Sequence, residues 1–128
     1  IQALSKSVPV DTFARALAAW PGTLVAVQRA PRDGELDVLA RGSARPVVDA
    51  TAANDDLEAM CAILDACAGY AGVSSTNVHL AASLGKPAVV VVPFPPEWRW
   101  MNAGDASPWF PLARVVRARP GMPWSTAL

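Results

Sequence analysis

Residues 72–100 read "GVSSTNVHLAASLGKPAVVVVPFPPEWRW". Five residues at its centre, Ala88 to Val92, carry no polar side chain. A continuous apolar run of that length, unlike an alternating one, is expected of a strand covered on both faces. Before it, Gly85-Lys86-Pro87 breaks the chain, and Thr76 to Leu84 has helix-forming composition with Gly85 placed as its C-terminal cap. Before that helix, "YAGV" at 70–73 reads as another short strand. Strand, helix, strand in so short a span implies a crossover connection and a parallel pair.

The same alternation extends outward. "PVDTFARALAAW" at 9–20 predicts a helix, with Pro9 at its first position and Phe13, Ala16, Leu17 and Trp20 on one face. Pro21-Gly22 ends it, and "TLVAVQ" at 23–28 follows as a strand. Residues 30–46 are rich in Arg, Gly, Pro and Asp and read as loop, with one helical turn around Leu36. "PVVDA" at 46–50 is a further strand. Asn54 or Asp55 is placed to cap a helix running to Cys67, whose apolar face is Leu57, Met60, Cys61 and Leu64. "ARVVRA" at 113–118 is a last strand, and "PWSTAL" starts a helix. We expect residue range 1–4 to form a short or frayed strand. The pattern predicts an α/β fold, a Rossmann-like three-layer sandwich with a mainly parallel sheet and residues 88–92 central.

The chain has 128 residues, 52% hydrophobic and 17% charged. That favours one domain, 1–128, whose Trp- and Pro-rich tail from 93 to 128 is irregular but ordered. Eleven basic residues balance eleven acidic ones, so no charge excess points to nucleic acid or to a membrane surface. No run reaches the ~18 apolar residues of a membrane span. Residues 1–20 lack the charged start and apolar centre of a signal peptide. The sequence begins at Ile1 with no methionine, and we expect that it was cut from a longer protein or that its start was lost. Cys61 and Cys67 stand six apart, about 240° round a helix, and cannot bridge while it is intact. Free thiols fit a reducing cytoplasm.

Ligands of open parallel sheets lie beyond the carboxyl ends of the strands. The turn from 70–73 into the helix at Thr76 is such a place. Ser74 and Ser75 suit an N-cap. The amides of Thr76, Asn77 and Val78, with the positive end of the helix dipole, make an anion site. Thr76, His79 and Ser83 form a polar stripe, and His79 leans back toward that site. Two readings stay open for this only histidine: a ligand contact, or a hydrogen-bonded, partly buried core residue.

At these residues the chain resembles a family. Thr76, His79-Leu80-Ala81, Gly85-Lys86-Pro87, Trp98-Arg99-Trp100, Ser107-Pro108-Trp109-Phe110-Pro111 and Trp124 look like the donor-binding half of heptosyltransferase-like glycosyltransferases. The nearest likeness is to the bacterial branch in which this domain follows tetratricopeptide repeats. "KSVP" at 6–9 and "LVAVQR" at 24–29 extend the resemblance upstream.

The resemblance implies the C-terminal half of a GT-B fold. It implies a nucleotide diphosphate sugar as substrate and an N-terminal acceptor domain that supplies the base. Thr76 and the following amides would hold the diphosphate, His79 would meet phosphate or sugar, and Lys6 would stand where a phosphate-neutralising cation sits. Lysine plus a helix N-terminus can stabilise a departing diphosphate without a metal or other cofactor. The family's Asp before Thr76 is Ser75 here. Serine still suits the cap but brings no carboxylate to a donor hydroxyl. Trp98, Trp100, Trp109 and Trp124 have two open readings: a clamp holding the long loop, or a stack on donor base or sugar; Trp98, Arg99 and Trp100 are the candidates for the donor site. Glu97 and Arg99 read as a rim ion pair. The alternative function is a non-catalytic glycosyltransferase-like module for protein interaction. A dinucleotide-binding Rossmann protein is disfavoured, because no GxGxxG follows a strand.

Overall fold

The computed structural model describes residues 7–128. Lys6 and the strand expected at 1–4 lie outside the described residues. Two compact units divide the chain, one of residues 8–60 and one of residues 61–127.

In the first unit the order is α1 (Val10–Leu17), β1 (Leu24–Ala26), α2 (Glu35–Ser43) and β2 (Val47–Asp49), then a 3-10 turn at Thr51–Asp55. β1 and β2 pair in parallel, Leu24 opposite Val47 and Ala26 opposite Asp49. Asn54 Nδ2 donates to the carbonyls of Val27 (3.1 Å) and Thr51 (2.8 Å), tying the strand end to the turn.

The nine-residue α2 replaces the single helical turn expected within 30–46. Its sequence hides it. Gly34 (φ +81°) precedes it and Ala44 (φ 52°) follows it, and a glycine sits inside. Gly42 has a packing reason: a Cβ there would lie 2.7 Å from the Ala14 Cβ of α1. Two helices can approach that closely only where side chains are absent, so a residue that costs helix propensity is kept. This contact also sets the face of α1. Its buried residue is Ala14, with Phe13 and Leu17 half-buried, while Ala16 and Trp20 are exposed. The helix ends at Leu17, short of Trp20.

α3 (Leu57–Ala66) carries the chain into the second unit. Its cap is Asp56, one residue past the expected pair: Asp56 Oδ1 accepts the Ala59 amide at 3.0 Å. Asn54 and Asp55 belong to the 3-10 turn instead.

The second unit follows with β3 (Tyr70–Val73), α4 (Thr76–Ser83), β4 (Ala88–Val92) and β5 (Ala113–Arg117). The three strands form one parallel sheet in the order β3-β4-β5, with β4 central. The fold is therefore the expected Rossmann-like parallel α/β type. Val90, Val91 and Val92 are buried, while Val89 is 39% exposed, so the cover on that face of β4 is incomplete. α4 ends in a Schellman motif at Gly85 (φ +74°): the Gly85 amide reaches Ala82 O and the Lys86 amide reaches Ala81 O. Lys86 then binds Asp65 through its carboxylate (3.1 Å) and its backbone carbonyl, which pins the turn to the end of α3. Val78, Ala88, Val90, Val92, Trp100, Ala113 and Val115 form the core. The last residues make a 3-10 turn at Trp124–Thr126. Among the described residues no helix is long and apolar enough to cross a membrane.

Gly42→Val should destabilise the chain by about 1–3 kcal/mol, because the new side chain must push α2 off Ala14. Chemical denaturation measures it, and Gly34→Asn, at a site with open space around the Cβ position, serves as the tolerated control.

Candidate functional site

The carboxyl edge of the β3-β4-β5 sheet is organised by one buried side chain. Trp100 ends a short 3-10 turn (Trp98–Trp100) and has 0% of its surface exposed. A buried indole needs an acceptor for its N–H. Ser74 supplies it: Trp100 Nε1 donates to Ser74 Oγ at 2.8 Å, and Ser74 donates in turn to Glu97 Oε2 at 2.9 Å. Ser74 is buried at the end of β3, so the bond fixes the tail to the start of the β3–α4 turn.

His79 joins the same group. Its ring stacks on Trp100 with centroids 5.6 Å apart and planes 15° apart, and lies 5.4 Å from Phe110. Trp100 and Phe110 close the triangle at 5.5 Å. The histidine is half-buried and its Nε2 is enclosed. Trp100 is fully buried, and its bond to Ser74 holds the loop.

Trp98 and Arg99 differ. Trp98 is 63% exposed and meets Trp109, 57% exposed, edge to face at 5.3 Å. The Arg99 guanidinium carbon lies 4.6 Å from the Trp98 ring centroid. Such a contact is worth roughly 0.5–1 kcal/mol at an exposed site. Instead of the expected rim pair, Glu97 turns to Ser74 and Arg99 lies over Trp98.

Ser75 is the N-cap of α4 in extended conformation (φ −153°, ψ 172°), but its side chain makes no cap bond. It pairs with the Tyr70 hydroxyl instead. Tyr70 lies along its own strand over Gly72, where a Cβ would come within 2.9 Å of the phenol. Burial pushes the Tyr70 phenol above its ordinary value, and the Ser75 hydrogen bond opposes that shift. The first-turn amides of α4 are therefore not taken by the Ser75 side chain. Thr76 is exposed, Asn77 is buried, and the Val78 side chain is in the core, so only its backbone can face a ligand.

The structure thus brings Ser75, Thr76, Asn77, Val78 and His79 together on one turn, with Trp98 and Arg99 on the neighbouring loop. Sequence reasoning missed Ser74 and Glu97 as the anchors of that loop. The available signal was the pair of tryptophans itself: one buried indole demands an acceptor, and Ser74 was the nearest hydroxyl at a strand end. Among the described residues no three of His, Cys, Asp and Glu converge to hold a metal.

The rest of the loop is held by Arg117 and Ser107. Arg117 donates to the carbonyls of Trp100, Met101 (2.8 Å), Ala103 (3.1 Å) and Gly104 (2.6 Å). Partial burial moves its guanidinium below the ordinary arginine value. Ser107 Oγ donates to Arg99 O at 2.8 Å.

No family model, no curated protein and no solved structure matches the chain.

Ser74→Ala should cost about 1–3 kcal/mol, since it strands a buried indole N–H and removes the donor to Glu97. Trp100→Ala should cost about 3–5 kcal/mol through the cavity it leaves. In the double variant the two losses should fall short of their sum, as for residues sharing one bond. Urea denaturation of the three variants checks this.

Proposed function

We propose that this chain is the donor-binding domain of a glycosyltransferase of the heptosyltransferase-like kind, working in the cytoplasm on a nucleotide diphosphate sugar. The observation that carries the reading is the α4 N-terminus. It stands at the carboxyl end of a parallel strand, with Thr76 exposed and no cap bond from Ser75 to its first turn. A diphosphate there would accept hydrogen bonds from the amides of residues 76–78 and gain from the helix dipole. Lys6 would add a neutralising charge, as the sequence resemblance implies. Trp98, with a cation on one face, offers an aromatic surface for a base or sugar ring. His79 would act by stiffening α4 through its stack on Trp100.

In this reading the chain binds the donor and does not transfer by itself. Transfer needs acceptor, base and anomeric carbon held at near-attack distance. The acceptor and base would come from an N-terminal domain, joined to tetratricopeptide repeats in the parent protein.

A second reading has its own observation. Glu97 places a carboxylate on Ser74, next to the N-cap, and an internal anion opposes an external one. With Ser75 where the family has Asp, and Trp98 and Trp109 exposed, this favours a non-catalytic interaction module.

A thermal-shift panel of nucleotide diphosphates and nucleotide sugars separates the two. Binding on the order of 0.1–1 mM is expected from half a cleft. Ligand at tenfold the dissociation constant would add ~1.4 kcal/mol, a rise of a few degrees. Thr76→Glu should abolish the response while leaving the unliganded melting temperature unchanged or higher, because acid in a first turn suits the helix dipole. No response to any nucleotide, or one indifferent to Thr76→Glu, overturns the donor reading.

A further inference from the structure

Two tryptophans of the tail stand side by side in solvent. Trp98 is 63% exposed and Trp109 57%, and their rings meet edge to face with centroids 5.3 Å apart and planes at 81°. The Arg99 guanidinium carbon lies 4.6 Å from the Trp98 ring centroid. An edge-to-face contact takes up one face of one ring, and the guanidinium takes up one face of Trp98. Of the four faces of the two indoles, these contacts leave at least two. Both rings are carried on anchored backbone. Trp98 stands just before Trp100, which is fully buried on Ser74, and Trp109 stands just after Ser107, which is 3% exposed. Ser107 Oγ accepts the Trp109 amide at 3.2 Å and donates to Arg99 O at 2.8 Å. One buried hydroxyl thus fastens the two segments to each other. Rings held in this way bind a ligand with little loss of conformational entropy.

The chemistry of the three side chains selects the ligand. An indole face is electron-rich and attracts the polarised C–H bonds on the flat side of a sugar ring. Arg99 keeps a permanent positive charge, and its N–H groups form a fork that fits a carboxylate. Among the described residues it has no carboxylate in ion-pair range. The tail from 93 to 128 holds four arginines against two acids, Glu97 and Asp105, so the local field favours an anion. A quaternary ammonium, which other aromatic pairs accept, is repelled by Arg99. A proline-rich peptide would use the rings alone. We propose that Trp98, Trp109 and Arg99 bind an anionic pyranose, a uronic acid free or at the end of a glycan, with its C–H face on an indole and its carboxylate on Arg99. No nucleotide enters this inference, so it stands whether or not the α4 N-terminus holds a donor.

The test is an NMR titration of the ¹⁵N-labelled chain near neutral pH with glucuronate. Glucose serves as the ring without the charge, and acetate as the charge without the ring. The indole N–H signals of Trp98 and Trp109 should shift saturably with glucuronate at millimolar concentration. They should shift less with glucose and not with acetate, while the buried Trp100 indole stays in place. Arg99→Gln should weaken glucuronate binding about tenfold, to the level of glucose. Trp109→Ala should weaken both sugars alike. The Trp100 indole signal, unmoved in either variant, reports that it is folded. No shift of either indole at glucuronate on the order of tens of millimolar overturns the inference. So do equal shifts with acetate or with glucose, and unchanged affinity in Arg99→Gln. A proline-rich peptide that moves both indoles where glucuronate does not also overturns it, in favour of a peptide site. Adenosine diphosphate, added in a separate titration, tests the donor reading through the amides of residues 76–78, so the two readings fail independently.

Discussion

The bond from the Trp100 indole to Ser74 Oγ, 2.8 Å long and wholly buried, is the constraint on which the carboxyl edge of the second unit depends. A tryptophan brings a large apolar area into a core, but only if its one polar hydrogen finds a partner. Here the partner sits at the last turn of β3, and the same serine hydroxyl passes a hydrogen bond to Glu97. A loop of irregular sequence is thereby tied at a single point to the place where β3 gives way to α4. His79 and Phe110 pack their rings on that indole. Ser107 and Arg117 fasten the remainder. Beyond that short 3-10 turn the loop needs little regular structure, because the carbonyls of Arg99, Trp100, Met101, Ala103 and Gly104 are answered by side chains.

This arrangement divides the aromatic residues by task. Trp100 is interior and structural. Trp98 and Trp109 touch each other and otherwise face solvent. Two tryptophans separated by one residue have opposite roles because the short 3-10 turn points them in different directions. The arginines divide in the same way: Arg117 holds the loop and Arg99 lies over an indole.

Much of the second unit was legible in the sequence. The aliphatic run of β4, the strand at 70–73, the helix from Thr76 and the glycine that ends it all agree with local propensity and with the fold. Agreement across levels makes such segments readable. α2 was not readable, because Gly42 serves a close helix contact and so disguises a helix as a loop. The face of α1 was shifted for the same reason, since its partner was unseen. At the candidate site, residue types were visible but their partners were not. Ser75 reads as a cap, yet its side chain turns to Tyr70. Glu97 and Arg99 read as a pair, yet each finds another neighbour. Choices among nearby partners depend on side-chain direction and burial, which no one-dimensional pattern carries.

Hydrogen exchange at the indole nitrogens tests the central constraint most directly. The three tryptophans of the loop report on it in one spectrum. The Trp100 indole proton should exchange as slowly as the core amides of β4, while those of Trp98 and Trp109 exchange at rates near those of free indole. A Trp100 indole that exchanged as fast as the two exposed ones would contradict the account, for the loop would then not be anchored at Ser74.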